Sequence, residues 1–180
     1  LYFDTKDRLF YTQHHNERVN RNKVRFREYV NSGLVFLEIK FKNNKGKTIK
    51  KRIKVDSMSN ILSDNEKQYV YNIIGKKLDL QPQHLINFHR ITLINTLCGE
   101  RLTIDLDINF SNKQQSDNFE DIVIAELKKE RSSNLSLFQK IAKKHRILPM
   151  RLSKYCMSTV KLHKFIKQNR FKEKLIYINK

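Results

Sequence analysis

The sequence predicts an α+β fold: an antiparallel β-barrel with a polar interior, flanked by helices. Three observations carry this expectation. Three consecutive segments alternate with period two and are joined by short polar turns. All three place Lys and Arg on the face opposite their apolar residues. Helical periodicity is confined to residues 58–78 and to the chain beyond Asn134, and only 4 Gly and 2 Pro interrupt the 180 residues.

The first strand is read in "NKVRFREYV", where Val24 and Phe26 face one way and Lys23, Arg25 and Arg27 the other. "NSG" signals a turn. "LVFLEIKFK" sets Val35, Leu37, Ile39 and Phe41 against Glu38, Lys40 and Lys42, and "NNKG" makes the next turn. "TIKKRIKV" then sets Ile49, Ile53 and Val55 against Lys50, Arg52 and Lys54. Short loops make these three an antiparallel meander. Residues 58–78 change period, and Ser63 or Asp64 can cap a helix that carries Tyr69, Val70, Ile73 and Ile74. "HLINFHRITLIN" reads as strand and "TLCG" as turn. "ERLTIDLDINF" reads as an alternating strand with Leu102, Ile104, Leu106 and Ile108 on one side. "SNKQQSDN" reads as loop and "DIVIAELKKE" as a further strand. "LSLFQKIAKKHRI" and "SKYCMSTVKLHKFIKQ" are helical, separated by a break at Pro149. Their apolar positions Leu137, Phe138, Ile141, Leu162, Phe165 and Ile166 are expected to pack as core or as a lid over one mouth.

The chain is expected to form one domain, long enough for a real core. Its 37 Lys+Arg against 18 Asp+Glu give a formal net charge of +19. An excess of that size repels itself, so a polyanion partner is expected: nucleic acid, an anionic membrane face, or a phosphorylated substrate. The alternative is a basic surface without function. Cys98 and Cys156 belong to no metal-ligand cluster and read as reduced thiols of a cytosol-like compartment. No apolar run approaches the roughly 20 residues of a membrane helix. "LYFDTKDRLFY" has neither the basic start nor the apolar stretch of a signal peptide, and with no initiator Met the chain reads as part of a longer protein. The expected location is therefore cytoplasmic, with any membrane association made by other parts or subunits and none by this segment itself.

Charge placement sharpens the functional reading. Between Arg21 and Lys54 there are twelve Lys/Arg and two acids, Glu28 and Glu38. Like charges directly opposite on neighbouring strands destabilise a sheet. Two arrangements offset the repulsion: a flat basic sheet lying on nucleic acid, or a sheet curled into a barrel filled by an anion. A nucleic-acid platform interleaves aromatics among its cations, whereas here Tyr29 and Phe36 sit only at the ends of the charged faces. The charged faces also hold carboxylates, Glu38, Asp105 and Glu126. Carboxylates suit a site that binds phosphates through Mg²⁺ or Mn²⁺, and each could instead be an internal salt-bridge partner. The barrel reading is preferred to a nucleic-acid platform. His14, His15, His84 and His89 lack ligand spacing with one another, and His145 and His163 read as surface.

In chain order, "LYFDT", "KVRFREY", "FLEIKFK", "KGKTIKKRIKV", "FHRITL", "ERLTIDLDINF", "VIAELK" and "LSKYCMS…NRFK" together resemble the VTC domain. This is the polyphosphate polymerase domain of the vacuolar transporter chaperone complex, one of the CYTH-like triphosphate tunnel metalloenzymes. The resemblance implies an antiparallel tunnel through which a phosphate chain threads. It also implies transfer of the ATP γ-phosphate to a growing polyphosphate, assisted by Mn²⁺ or Mg²⁺. By position it implies phosphate-binding cations at Arg25, Arg27, Lys40, Lys50, Arg52, Arg90, Arg101 and Lys154. Lys23, Lys42, Lys54 and Lys128 share those faces as further members. Glu126 is the implied metal carboxylate, with Glu38 as a second candidate. Family members begin with a strand carrying a Lys and a Glu ahead of "LYFDT", and no such strand precedes it here; neither a phosphate-sensing SPX domain nor membrane helices occur in this stretch. Expected partners are ATP and polyphosphate, with phosphate or sulfate as occupants of the tunnel. The alternatives are hydrolysis of tripolyphosphate or polyphosphate in the same tunnel, or a catalytically silent polyanion-binding module.

Overall fold

The computed structural model describes residues 1–97, 99–130 and 136–178. The chain begins with β1 (Tyr2–Asp4) and α1 (Leu9–His15), followed by the meander β2 (Arg21–Tyr29), β3 (Leu34–Lys42) and β4 (Thr48–Val55). Next come α2 (Asp64–Ile74), β5 (Gln81–Asn95), β6 (Glu100–Ser111), β7 (Ser116–Asn118) and β8 (Ile124–Lys128). Three helices follow: α3 (Leu137–Lys144), α4 (Lys154–Leu162) and α5 (Lys172–Ile178). The fold is α+β with an antiparallel sheet. No helix among the described residues is long and apolar enough to cross a membrane. Cys98 of the expected "TLCG" turn lies outside the described residues, and Cys156 is a buried free thiol.

The hydrogen-bonded strand order is β4-β3-β2-β1-β5-β6-β7, with β8 paired to β6. Among the described residues this order has two ends, so the sheet is not closed into the barrel that the sequence predicts. The chemistry of β4 accounts for its place at an end: Lys50, Lys51, Arg52 and Lys54 are all exposed along it. A row of charged side chains is a common device for blunting a free sheet edge.

The chain divides into two compact units. The first comprises Leu1–Ile86, Phe110–Asp117 and Lys154–Lys180, and the second Asn87–Asn109 and Asn118–Ser153. In the first unit the three-stranded meander stands where the sequence predicts it, with β2 shifted by one residue to Arg21–Tyr29. Val24 pairs with Ile39 and Phe26 with Leu37, and Leu37 pairs with Ile53. Val24, Phe26, Leu37 and Ile39 are fully buried with Phe3, Phe10 and Val70, while Ile53, Tyr69, Ile73 and Ile74 pack around them. Burying side chains of this size contributes about 1.5–3 kcal/mol each, which fixes which face of the meander turns inward. Helix α2 lies over that face. It starts at the capping box between Ser63 and Glu66 and ends at Gly75, whose φ of 75° only a residue without Cβ adopts freely.

Helix α1 has no counterpart in the sequence reading. The residue before it, Arg8, is left-handed and makes no side-chain cap. Asp4 caps it from a distance instead: its carboxylate accepts the N–H groups of Phe10 (2.8 Å) and Tyr11 (2.9 Å). Thr5 Oγ1 accepts that of Leu9 at 2.9 Å. The helix predicted over "SKYCMSTVKLHKFIKQ" is also shorter than expected. α4 stops at Leu162, where His163 N–H and then Ile166 N–H bond carbonyls three residues back, a tighter turn that ends the α register. Leu162 is buried as expected, but Phe165 is fully exposed and belongs to no core.

In the second unit, β6 and β8 pair antiparallel from Arg101↔Lys128 to Asp105↔Ile124. The expected sidedness of β6 is reversed: Thr103 and Asp105 are buried, whereas Leu102, Ile104 and Leu106 are only partly so. Asp107 takes a left-handed φ of 51°, which breaks the alternation and lets Ile108 be buried as well. Helix α3 is capped by a reciprocal Ser136–Gln139 box. The expected core positions Leu137 and Ile141 are 71% and 48% exposed.

Candidate functional site

The charged face of the meander in the first unit is built by strand register. Lys23, Lys40 and Lys50 stand directly opposite one another across β2, β3 and β4. The next rung is Arg25, Glu38 and Arg52, and the one after it Arg27, Phe36 and Lys54. At the other end Arg21, Lys42 and Thr48 align. Cβ atoms of directly opposed residues lie about 4.5–5.5 Å apart. The three-lysine rung therefore concentrates positive charge on a patch the size of one or two phosphate groups.

Glu38 holds the centre of this face together. It is fully buried; Arg25 reaches one of its oxygens through Nη2 (2.7 Å) and Nε (3.0 Å). Lys50 Nζ pairs with the other oxygen. Burial would raise the Glu38 pKa, but the Arg25 charge and the hydrogen bonds from Lys50 and Arg25 outweigh it and bring the carboxyl down to about 2. Burial and the neighbouring Arg25, Lys23 and Lys50 push Lys40 down to about 7, against the pull of Glu38. Lys23 is lowered too, chiefly by burial.

Tyr2 was not anticipated as part of this site. Arg25 Nη1 donates to its hydroxyl at 2.9 Å, and the guanidinium carbon lies 5.6 Å from its ring centre. Burial would raise the phenol pKa, yet Arg25, Lys23 and Lys154 together bring it below its ordinary value. A field that favours a phenolate favours a phosphate. Lys154, the first residue of α4, is brought to this face by its neighbour Tyr155. The Tyr155 ring stacks on Tyr2 (5.0 Å between centres) and on His84 (5.2 Å). Tyr155 is anchored in turn by a 2.5 Å hydrogen bond to Asp4. The "LYFDT" segment thus supplies a site residue, Tyr2, and a structural one, Asp4. Neither shows a periodic signal, because β1 is only three residues long.

Arg27 and Arg52 form a separate group at the far end of the face. Arg27 lies 4.5 Å over the Tyr29 ring and Arg52 4.4 Å over the Phe36 ring. The two rings meet edge to face at 6.1 Å. The aromatics that the sequence places only at the ends of the charged faces hold these two arginines.

The second unit carries Arg90, Arg101, Glu126 and Lys128. Arg90 grips the buried Asp105 through both oxygens, at 2.6 and 2.7 Å. Arg101 is exposed and stands opposite Lys128. Lys128 Nζ lies 3.5 Å from Glu126, both side chains being more than half exposed. The fourteen expected residues therefore divide between the units: ten in the first and these four in the second, with Glu126 among them.

For a divalent metal the residues fit unequally. Among the described residues no group of three or more His, Cys, Asp or Glu could hold an ion. Mg²⁺ characteristically takes one or two protein carboxylates and completes its shell with water and substrate phosphates. Glu126, exposed and touched by one lysine, fits that role. Glu38 does not fit: both oxygens are taken by cations, so the metal role expected for it is replaced by that of internal counter-charge.

A family model for the VTC domain matches residues 1–163 of the chain. Comparison with curated proteins finds no match.

Proposed function

The chain belongs to the VTC domain family, and from that premise we propose that it is a phosphotransferase that extends polyphosphate with the γ-phosphate of ATP. The observation that carries this reading is the Lys23–Lys40–Lys50 rung beside the Arg25–Glu38 pair. Three lysines opposed across adjacent strands work against folding, and a bound chain of phosphates reverses the sign of that contribution. In this reading a curled sheet, open rather than closed, cradles the phosphates.

The chemistry asks little of the protein beyond placement and charge. Phosphoryl transfer proceeds with charge spread over the non-bridging oxygens, so the catalyst's task is to hold donor and acceptor in line and neutralise that charge. Arg25 suits a fixed position. Glu38 and Tyr2 hold its guanidinium, which stays charged at any working pH. Lys40 suits an adaptable one, because an arriving phosphate restores the proton that burial weakens. The acceptor is the terminal phosphate of the chain itself, nucleophilic at neutral pH, so no Ser, Cys or His nucleophile is required. Glu126 would hold a divalent ion, which supplies neutralisation of phosphate oxygens when bound. In the same reading Arg90, Arg101 and Lys128 act on phosphate as further cations, and the protein works in the cytoplasm.

The test is incubation of the chain with ATP and Mn²⁺, followed by separation of long polyphosphate from free phosphate. Accumulating polyphosphate supports the proposal. Free phosphate alone identifies a hydrolase, and neither product with intact polyphosphate binding identifies a silent binding module. Lys40→Met should abolish the product in the first case without unfolding the domain.

A further inference from the structure

Residues 136–151, in the second unit, read "SLFQKIAKKHRILPMR". They contain Lys140, Lys143, Lys144, Arg146 and Arg151 and no Asp or Glu. The segment is the helix α3 and the irregular stretch after it. Its apolar residues are turned outward. Leu137 is 71% exposed, Ile141 48%, Ile147 58%, Leu148 82% and Met150 41%. The half-buried side of α3 is formed by Phe138, Gln139 and Ala142 instead. Leu137 and Ile141 are four residues apart and share one face, which Lys140 and Lys144 flank one step further round.

Scattered exposed apolar residues need no explanation, but five within fourteen positions, interleaved with cations and free of acids, form a patch. We infer that this segment is a docking element for an anionic lipid surface, with Leu137, Ile141 and Leu148 entering the acyl boundary and the lysines meeting headgroup phosphates. The combination is what an interfacial helix requires: an apolar side for the lipid, and Lys and Arg long enough to reach the headgroups. Charge complementarity selects an anionic surface, since each Lys or Arg near such a membrane contributes favourably. A nucleic acid would satisfy the cations and leave the leucine and isoleucine side chains in water. The inference revises the expectation that this segment makes no membrane contact. It does not depend on the phosphotransferase reading, because it uses none of the residues of the phosphate-binding face.

A domain of charge +19 adsorbs to any anionic vesicle, so the test must see insertion rather than adsorption. The chain has no Trp, and Leu137→Trp installs a single reporter at an exposed position. The probe is a vesicle of phosphatidylserine and phosphatidylcholine, with pure phosphatidylcholine as comparison. The expected result is a blue shift of Trp emission on the mixed vesicle, quenching by brominated acyl chains, and neither effect on pure phosphatidylcholine. A second variant, Ile141→Asp with Leu148→Asp, keeps every cation. It should lower the vesicle partition coefficient roughly tenfold or more, as removal of two inserting aliphatic side chains requires. Its affinity for tripolyphosphate should be unchanged, which also shows that it is folded. Sedimentation with vesicles while Trp emission stays unshifted and unquenched would overturn the inference, leaving adsorption by the basic face. A blue shift produced by an RNA oligonucleotide and not by vesicles would overturn it in favour of nucleic acid.

Discussion

Replacing Glu38 by Gln keeps the shape of the side chain and removes one charge from the middle of the basic face. The carboxyl is fully buried between Arg25 and Lys50. Its pKa falls from 4.5 to about 2, which corresponds to about 3 kcal/mol of stabilisation of the ionised form. The same magnitude follows from the cost of leaving one member of a buried ion pair without its partner, about 3–5 kcal/mol. Glu38→Gln should therefore destabilise the empty domain by about 3 kcal/mol at pH 7. The pH dependence carries the sign. A carboxyl whose pKa is depressed on folding stabilises fully above its unfolded pKa of 4.5 and loses that contribution as pH falls towards 2. By pH 3 about 2 kcal/mol of it is gone in the wild type, so the gap to the variant narrows accordingly. Urea unfolding followed by far-ultraviolet circular dichroism at pH 7, 4 and 3 measures this; guanidinium is avoided because it screens the charges at issue. Tripolyphosphate should narrow the gap at pH 7, because a bound anion supplies the missing negative charge and stabilises the native state by mass action. Two outcomes refute the reasoning: a gap below about 1 kcal/mol at pH 7, or wild-type and variant curves that run parallel from pH 7 to pH 3. Either would mean that Glu38 is not the counter-charge of this face.

Three further expectations follow from the same geometry. Lys40 is lowered from 10.5 to about 7 on folding, so the unfolded chain binds the extra proton and stability should rise between pH 7 and 10; Lys40→Met should flatten that rise, as urea midpoints at the two pH values will show. Binding of tripolyphosphate at pH 8 should draw a proton onto Lys40, detectable by calorimetry in buffers of different ionisation enthalpy and lost in the same variant. Arg90→Ala should destabilise the protein by about 3 kcal/mol by stranding buried Asp105, whereas Arg101→Ala, at an exposed position, should stay within about 0.5 kcal/mol; similar losses for both would remove the distinction drawn between these two cations.

How much of this was legible depends on the length and regularity of each segment. β2, β3 and β4 are eight or nine residues long and alternate over most of their length, with Lys51 as the break in β4, so period and turn signals locate the strands and the face of most of their residues. α2 announces itself through its change of period and the candidate caps Ser63 and Asp64, of which Ser63 is the cap. α1 does not, because its cap comes from Asp4, five positions upstream of the first helical residue. β6 looks apolar on its even side, yet its buried side carries Thr103 and Asp105. Alternation separates two faces but does not say which turns inward once both carry chain that other elements can cover. Barrel closure was the least legible feature, since it depends on pairing between the first and last strands of an order spread over more than a hundred residues. The side chains of β4 argue the other way, as its lysines suit an edge.

For the site, the residue types were legible and their division of labour was not. Alternation places Arg25, Lys40, Lys50 and Arg52 on one face, and all four stand there. Nothing in the pattern says that Lys50, one rung from Glu38, would take its second oxygen while Arg52, directly opposite, would turn onto Phe36. That choice is geometric. A guanidinium finds a flat ring as good a neighbour as a carboxylate when another cation already holds the acid. The outcome decides chemistry. With Glu38 held between Arg25 and Lys50, it offers no oxygen to a metal ion. Lys50 takes its counter-charge from Glu38 one rung away, and the like charges directly opposed along the rung still favour a further negative charge. A polyphosphate carries that charge at regular spacing along a chain, and the rungs of the meander repeat their cations along the strands in the same way.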